Sequence, residues 1–292
     1  MRRSTRSSRS FDCADRFSPS GVIAVAECGR PARDALASGP GEVCAVFRRS
    51  LYLRFAGERY ACLGDASLGR GPLNARVSGR HALGRHEVGQ WLAVSVAGSK
   101  LWRPRPLRAR AGRRALGAKL AALVRAAAKQ PARDGLGGAI AGASSPLIEH
   151  ARPAMDAIDA WLLRGGASIP RRARALIGLG PGLTPSGDDY LAGLMIGLRA
   201  IGNRAAAAVL WRWLAPQAAT LTSAISGAHL AAAARGEAHE ALHACVAALF
   251  ASDAARARLR WPCLLSRLDA VGHCSGRDGL AGAVAVARHR LR

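Results

Sequence analysis

Trp102-Arg103-Pro104-Arg105-Pro106 is where this chain changes its period. Proline fixes φ and holds the residue before it out of the α region, so two prolines in this short run end any regular element that reaches them. Upstream, over 22–102, short apolar runs alternate with glycine turns: GVIAVAECG (21–29), EVCAVFRRSLYLRFAG (42–57), ERYACLG (58–64) and GQWLAVSVAG (89–98). These read as β-strands, with Ala56-Gly57-Glu58 as a hairpin turn between 51–55 and 59–63. Downstream the pattern is Ala-rich and helical, with helices expected at 110–129, 153–164, 188–201, 204–214, 218–234, 237–250, 254–269 and 278–291, and a loop or frayed helix over 135–145. The expectation is an α+β protein. It has a basic, disordered leader over 1–17, a β-rich part over 18–106 and a larger all-helical part over 107–292.

The helical part holds the densest chemistry. In IGLGPGLTPSGDDYLAG (177–193), Gly178, Gly180, Gly182 and Gly187 allow close backbone approach, while Pro181 and Pro185 stiffen the turns. Ser186 reads as the N-cap of the next helix and Asp189 as its capping-box partner, so free N–H groups and the positive end of a helix dipole lie beside Asp188. A plain cap uses only Ser186 and Asp189. That leaves Asp188 as the candidate ligand for a metal or a substrate ammonium group, with surplus dipole partner as the plainer role. Gly180, Gly182, Thr184, Ser186, Gly187, Asp188 and Asp189 together form a candidate anion-binding loop.

A second segment echoes the first. Ser275-Gly276-Arg277-Asp278-Gly279-Leu280-Ala281-Gly282 aligns without gaps on Ser186-Gly187-Asp188-Asp189-Tyr190-Leu191-Ala192-Gly193, at an offset of 89 residues and with six of eight positions agreeing. Both read as a serine cap, a glycine, an acid and a helix of small residues. Two such helix starts facing each other would make one pocket rich in backbone donors, so Ser275, Gly276 and Asp278 join the candidate set. Chance recurrence in an Ala- and Gly-rich chain is the competing explanation. The RDGL run at 133–136 lacks the serine and is set aside as noise.

Thr222 and Ser226, spaced i and i+4, would show two hydroxyls on one helix face, with His229 extending that face. Such hydroxyls bind an oxyanion or bond back to the i−4 carbonyl. His273 is a candidate acid, base or anion donor beside the second serine cap, and it shares with Asp188 the role of catalytic candidate. Cys274 lies between His273 and a helix start, a setting that can lower a thiol pKa. There is no G-x-S-x-G elbow, no phosphate-loop motif and no H-E-x-x-H pair.

The blocks LIGLGPGLTPSGDDYLAG (176–193), TSAISGAHLAAAARGE (222–237) and VGHCSGRDGLAG (271–282) together resemble the AllH family of oxamate carbamoyltransferase subunits. GRGPLNARV (69–77) extends the resemblance loosely into the N-terminal part. This chain has Thr222-Ser223 where the family favours two threonines, and Cys274 where it favours serine, which makes a catalytic thiol improbable. The resemblance implies carbamoyl transfer between carbamoyl phosphate and a small amide acid in allantoin and purine nitrogen breakdown. It also implies partner subunits. The alternative it leaves open is a non-catalytic subunit that binds a small anion or regulates a metabolic complex. A divalent cation such as Mg is a possible cofactor, with Asp188 as its candidate ligand.

The formal charge of +24 is carried almost wholly by arginine, with lysine only at 100, 119 and 129. No RNP-like aromatic run, zinc-finger spacing or recognition-helix pattern accompanies it, so the expectation is attraction to polyanions or an acidic partner without specific nucleic-acid binding. Seven cysteines form no C-x-x-C pair, which fits a reduced, cytoplasmic protein. The basic opening MRRSTRSSRS is followed by no apolar run, and 213–234, the longest stretch without formal charge, contains Pro216, Gln217, several hydroxyls and His229. Neither reads as a signal peptide or a membrane span; the second reads as a buried helix pair broken by a loop.

Overall fold

The computed structural model describes residues 22–77, 85–106, 111–165, 168–252 and 260–292; the expected leader over 1–17 lies outside them. The described residues are 55% helical and 14% strand, with strands over 23–102 followed by helices, an α+β arrangement. The strands form one mixed sheet in the order β6-β2-β3-β4-β5-β1-β7, with β8 also pairing β1. β2 (Gly41–Val46), β3 (Ser50–Phe55) and β4 (Arg59–Gly64) form an antiparallel meander, with the β3–β4 turn at the expected Ala56-Gly57-Glu58. β5 (Asn74–Val77) runs parallel to β4 and antiparallel to β1 (Ile23–Gly29). The edges are β6 (Trp91–Leu92), β7 (Val94–Ser95) and β8 (Lys100–Trp102). Among the elements that sequence reading did not mark is α1 (Arg30–Leu36), started by Pro31 and burying Ala32, Ala35 and Leu36. It is too short to display a helical period. Leu53, Leu63, Ala75 and Val25 form the sheet's own core with it.

A separate core gathers the helices. α2 (Arg113–Lys129) leads to a 3-10 turn, Gly137–Ala141, which resolves the loop-or-helix ambiguity of 135–145. α3 (Pro146–Arg164) begins before the expected 153, because Ser145 caps it through a bond from Ile148 N at 3.2 Å and Pro146 occupies the first turn, where a missing N–H costs nothing. α4 (Ser186–Ala200) and α5 (Arg204–Leu221) follow, and α5 runs straight through Pro216. The break in the apolar stretch falls at Thr222-Ser223 instead, where Ser223 caps α6 (Ala224–Arg235). α7 (Glu240–Phe250), α8 (Trp261–Asp269) and α9 (Ser275–Leu291) complete the described helices. No helix among the described residues is long and apolar enough to cross a membrane.

α4 and α9, the two echoing helices, are each other's principal neighbours. They run in the same direction: Gly193 packs on Gly279, and further along Gly197 packs on Ala283 and Val286. A Cβ on Gly193 would stand 1.7 Å from the Gly279 carbonyl oxygen, and one on Gly282 would stand 1.9 Å from that of Tyr190. Under the 89-residue offset Gly193 corresponds to Gly282 and Tyr190 to Gly279, so these are one contact made twice about a local twofold. The glycines recorded in the sequence as small residues are therefore backbone-to-backbone contact points.

Candidate functional site

Parallel pairing brings both helix starts, and the loops that lead to them, to one place. Thr184 Oγ1 lies 2.9 Å from Ser275 Oγ, and Ser186 Oγ lies 3.5 Å from Cys274 Sγ. The loops 181–189 and 272–278 thus meet, although far apart in sequence. They face the sheet across a cleft of about 570 Å³. From the helical side the lining includes Gly182, Thr184, Asp189, Ser275 and Gly276; from the sheet side come Arg48, Arg49, Tyr52 and Asn74. Hydrogen bonds fasten the walls together. Glu240 accepts from Arg70 N at 3.0 Å and returns its own N–H to Arg70 O at 2.8 Å, and Tyr52 Oη meets His229 Nε2 at 3.1 Å.

The adjacent aspartates hold positions opposite to those expected. Asp188 is almost wholly buried and does not line the cleft. Its Oδ1 accepts from Gly178 N at 2.9 Å, and its Oδ2 accepts from Ser226 Oγ at 2.6 Å and from Thr222 Oγ1. With three donors converging on it, Asp188 is a tie between the 178 loop, the end of α5 and the start of α6. It is not available as a metal or substrate ligand, and by the same bonds Thr222 and Ser226 turn their hydroxyls away from the cleft. Thr222 is also not on the same helix as Ser226: it is the extended residue that ends α5. Gly178, at φ +72°, brings the loop so close to α5 that a Cβ would lie 2.0 Å from Leu221 O.

Asp189 is the acid that reaches the cleft. Burial pushes its carboxyl well above the ordinary aspartate range, the neighbouring acids Asp278 and Asp188 add to the rise, and the hydroxyls of Ser275 and Thr184 oppose it. One oxygen, Oδ2, is hidden from solvent without a hydrogen-bond partner among the described residues. Neither Ser186 nor Ser275 is an N-cap: Pro185 and Cys274 occupy those positions, and no side chain caps either helix. Across the local twofold Ser275 sits beside Asp189 and Ser186 beside Asp278 instead, each favouring the charged form. Asp278 is buried behind the cleft, with Oδ1 accepting from Leu136 N at 2.7 Å and Gly137 N at 2.8 Å. The RDGL run set aside as noise is thus a support for α9.

Of the remaining candidates, Gly180 and Gly187 stay in the loop scaffold, outside the cleft lining, as does Ser186. His273 borders the cleft but is exposed, its Nε2 2.7 Å from Asp134 Oδ2. The Cys274 thiol is pushed up to about 12, first by burial and then by Asp278, so it is no thiolate nucleophile. Among the described residues no three His, Cys, Asp or Glu side chains gather as a metal cage. With Asp188 saturated, the donor set does not fit the divalent cation that sequence reading raised.

Sequence reasoning missed the sheet wall altogether, along with Glu237 and His239, which also line the cleft. Burial holds His229 down at about 4 and lowers His239 as well, so both rings are neutral near pH 7. His239 Nδ1 accepts from Ala241 N at 3.2 Å, which leaves its Nε2 as the donor toward Leu68 O.

This geometry makes a direct expectation. Asp188→Ala would strand the buried hydroxyl of Ser226, the half-buried hydroxyl of Thr222 and an N–H, and is expected to lower stability by about 2 kcal/mol. Asp189→Ala, which removes a buried acid at the cleft wall, is expected to cost under about 1 kcal/mol. Urea denaturation of the two variants checks the order; a larger loss for Asp189→Ala would show that the neighbours have been given the wrong tasks.

No curated protein and no solved structure matches the chain. The family described as "Oxamate carbamoyltransferase subunit AllH" matches residues 176–287, a span that includes both glycine loops, α4 to α8, most of α9 and the helical wall of the cleft. Residues 176–287 are thus similar to that family, and the similarity stops short of the sheet.

Proposed function

We propose that the chain is the subunit of an oxamate-carbamoyltransferase-like enzyme that holds a small anionic reactant in the cleft between sheet and helices. The observation that carries this reading is the convergence of two glycine loops and two parallel helix starts opposite Arg48 and Arg49. Aligned N–H groups and helix dipoles favour negative charge there, and arginine supplies paired donors for phosphate or carboxylate.

Carbamoyl transfer asks for such a site. The amide nitrogen of the acceptor attacks the carbonyl carbon of carbamoyl phosphate, a C–N bond forms, the C–O bond to phosphate breaks, and the nitrogen gives up a proton. Charge grows on the carbonyl oxygen and on the leaving phosphate, where preorganised donors contribute most. In this reading Arg48, Arg49 and the loop N–H groups take the phosphate, Asp189 donates its proton as a hydrogen bond to an oxygen of the reactant, and neutral His229 stands in the wall as the proton acceptor. These roles need no thiolate and no metal ligand from the chain.

A second reading is a subunit that binds the anion without turning it over. It draws support from His273, the one catalytic candidate from sequence left in the cleft lining, being exposed and paired with Asp134. One assay separates the two: the purified chain, alone and with any subunits encoded beside it, is given carbamoyl phosphate and oxamate, and phosphate release and the ureido product are measured. Turnover that falls at least about 100-fold in His229→Asn, as loss of a general base does, supports the enzyme reading. Binding without turnover in every combination supports the second.

A further inference from the structure

Away from the cleft, a 3-10 turn over Arg171–Leu176 presents Arg171, Arg172 and Arg174 together. At three residues per turn, Ala173 and Leu176 share one row and are buried, which leaves Arg171 and Arg174 in an outer row with Arg172 beside it. All three are exposed, and among the described residues none has an ion pair or a hydrogen bond to an acid. With His150 they border an open groove of about 500 Å³ between this turn, α3 and the end of α5. Among the described residues no acid lines it: Glu149, beside His150 in α3, accepts instead from Ser144 Oγ at 2.6 Å. Pro153, Ala154, Ile177 and Leu221 give the groove an apolar floor.

A rim of donors around an apolar floor sets two requirements. The occupant must bring acceptors to the rim, because arginine has none, and an apolar group to the floor. A second copy of this chain fits poorly, since each copy carries a formal charge of +24. RNA would find no Phe, Tyr or Trp in the lining on which to stack a base. A lone small anion on so open a rim would stay hydrated and screened. An acidic peptide with apolar residues among its carboxylates meets both requirements.

We propose that this groove is the docking site for an acidic, leucine-bearing segment of a partner protein. It lies on the reverse of the Asp188 tie: Ile177 and Leu221 immediately precede Gly178 and Thr222, which donate to that carboxylate. A partner seated here bears on the base of the first glycine loop without lining the cleft, and the proposal stands apart from the carbamoyl reading.

The test is fluorescence anisotropy with the full chain at about 0.15 M salt, where screening removes diffuse attraction. The probes are a short synthetic glutamate peptide with leucines at intervals, the same peptide with serine for each leucine, and single-stranded poly(U) RNA of equal charge. The leucine peptide is expected to bind at least about tenfold more tightly than the serine peptide, as burial of a leucine side chain gives. Joint Arg171→Gln, Arg172→Gln and Arg174→Gln is expected to weaken the leucine peptide at least about tenfold, for three rim pairs acting together. Joint Arg125→Gln, Arg204→Gln and Arg212→Gln removes the same charge from exposed positions elsewhere and is expected to change binding less than about threefold. Because the groove arginines hold no acid in the fold, their triple variant is expected to unfold at the wild-type urea concentration. Equal weakening by the two triple variants overturns the proposal, as do equal binding of the two peptides, no peptide binding, or tighter binding of poly(U) that the groove variant loses. Dimerisation of the wild-type chain that the groove variant abolishes would overturn it in favour of a second copy.

Discussion

Gly193→Ala and Gly282→Ala are each expected to lower stability by about 3 kcal/mol or more. The added methyl would stand 1.7 Å from Gly279 O in the first case and 1.9 Å from Tyr190 O in the second. Both obstacles are backbone, with no side chain free to rotate away, so α4 and α9 must separate, and overpacking of that kind ordinarily costs 1 to 3 kcal/mol or more. Alanine gains about 1 kcal/mol over glycine in helix propensity, which is too little to compensate. Gly227, in α6, supplies the control, because a Cβ there meets nothing within 4 Å. Gly227→Ala is expected to stabilise by about 0.5 to 1 kcal/mol. Urea unfolding of the three variants decides the matter; if Gly193→Ala also stabilises, the close parallel pairing is wrong, and with it the convergence of the two loops.

The second large effect is loss of stability in mild acid. Burial holds His229 and His243 at about 4 in the folded protein, against an ordinary 6.5. Between those values the unfolded chain binds protons that the folded chain refuses, so stability falls as pH drops from about 6.5 toward about 4 and is fully present above 6.5. Each histidine contributes roughly 3 kcal/mol over that window, the product of its shift and about 1.4 kcal/mol per pH unit. Asp189 and Asp278 act with the opposite sign. Their raised values mean the folded state holds protons that the unfolded state has lost, so protonation on the way down through their folded values returns some stability. The histidines are expected to dominate between pH 6 and 5, where the unfolded chain takes up their protons. Denaturation midpoints at pH 7 and pH 5 should differ strongly in the wild-type protein and much less in His243→Gln, which keeps an acceptor for the bond from Ala238 N at 3.1 Å. Equal midpoints at the two pH values would mean that the imidazoles are far better solvated than their positions indicate.

Much of this was legible from residue order, and the failures share a cause. The change of period at 102–106 separates strand from helix because alternation and 3.6-residue spacing are local properties. The 89-residue echo pointed correctly to loops that meet, since matching helix starts carry matching packing surfaces. The division of labour between Asp188 and Asp189 was not legible. It depends on Thr222, Ser226 and Gly178 arriving from other segments to saturate one carboxylate, and spacing along the chain says nothing about that. Ser186 and Ser275 read as caps by local rules, yet each serves the other helix's acid across the twofold. The sheet wall was invisible for a similar reason: Arg48, Arg49 and Tyr52 belong to an ordinary hairpin, and only the docking of sheet on helices turns them toward the glycine loops.

The local twofold of α4 and α9 also bears on how the cleft could have become selective. In a symmetric dimer every substitution is duplicated, so both arms of a central site stay identical and suit a symmetric guest. Here the two arms share one chain and differ: Asp188 corresponds to Arg277 in the alignment, and Tyr190 to Gly279. Asp188 gathers hydroxyls while Arg277 clamps Asp269 at 2.7 and 2.8 Å, and Asp189 reaches the cleft while its counterpart Asp278 is sealed behind it. A twofold frame with unequal arms brings two helix dipoles to one place, and yet can tell one end of a small molecule from the other.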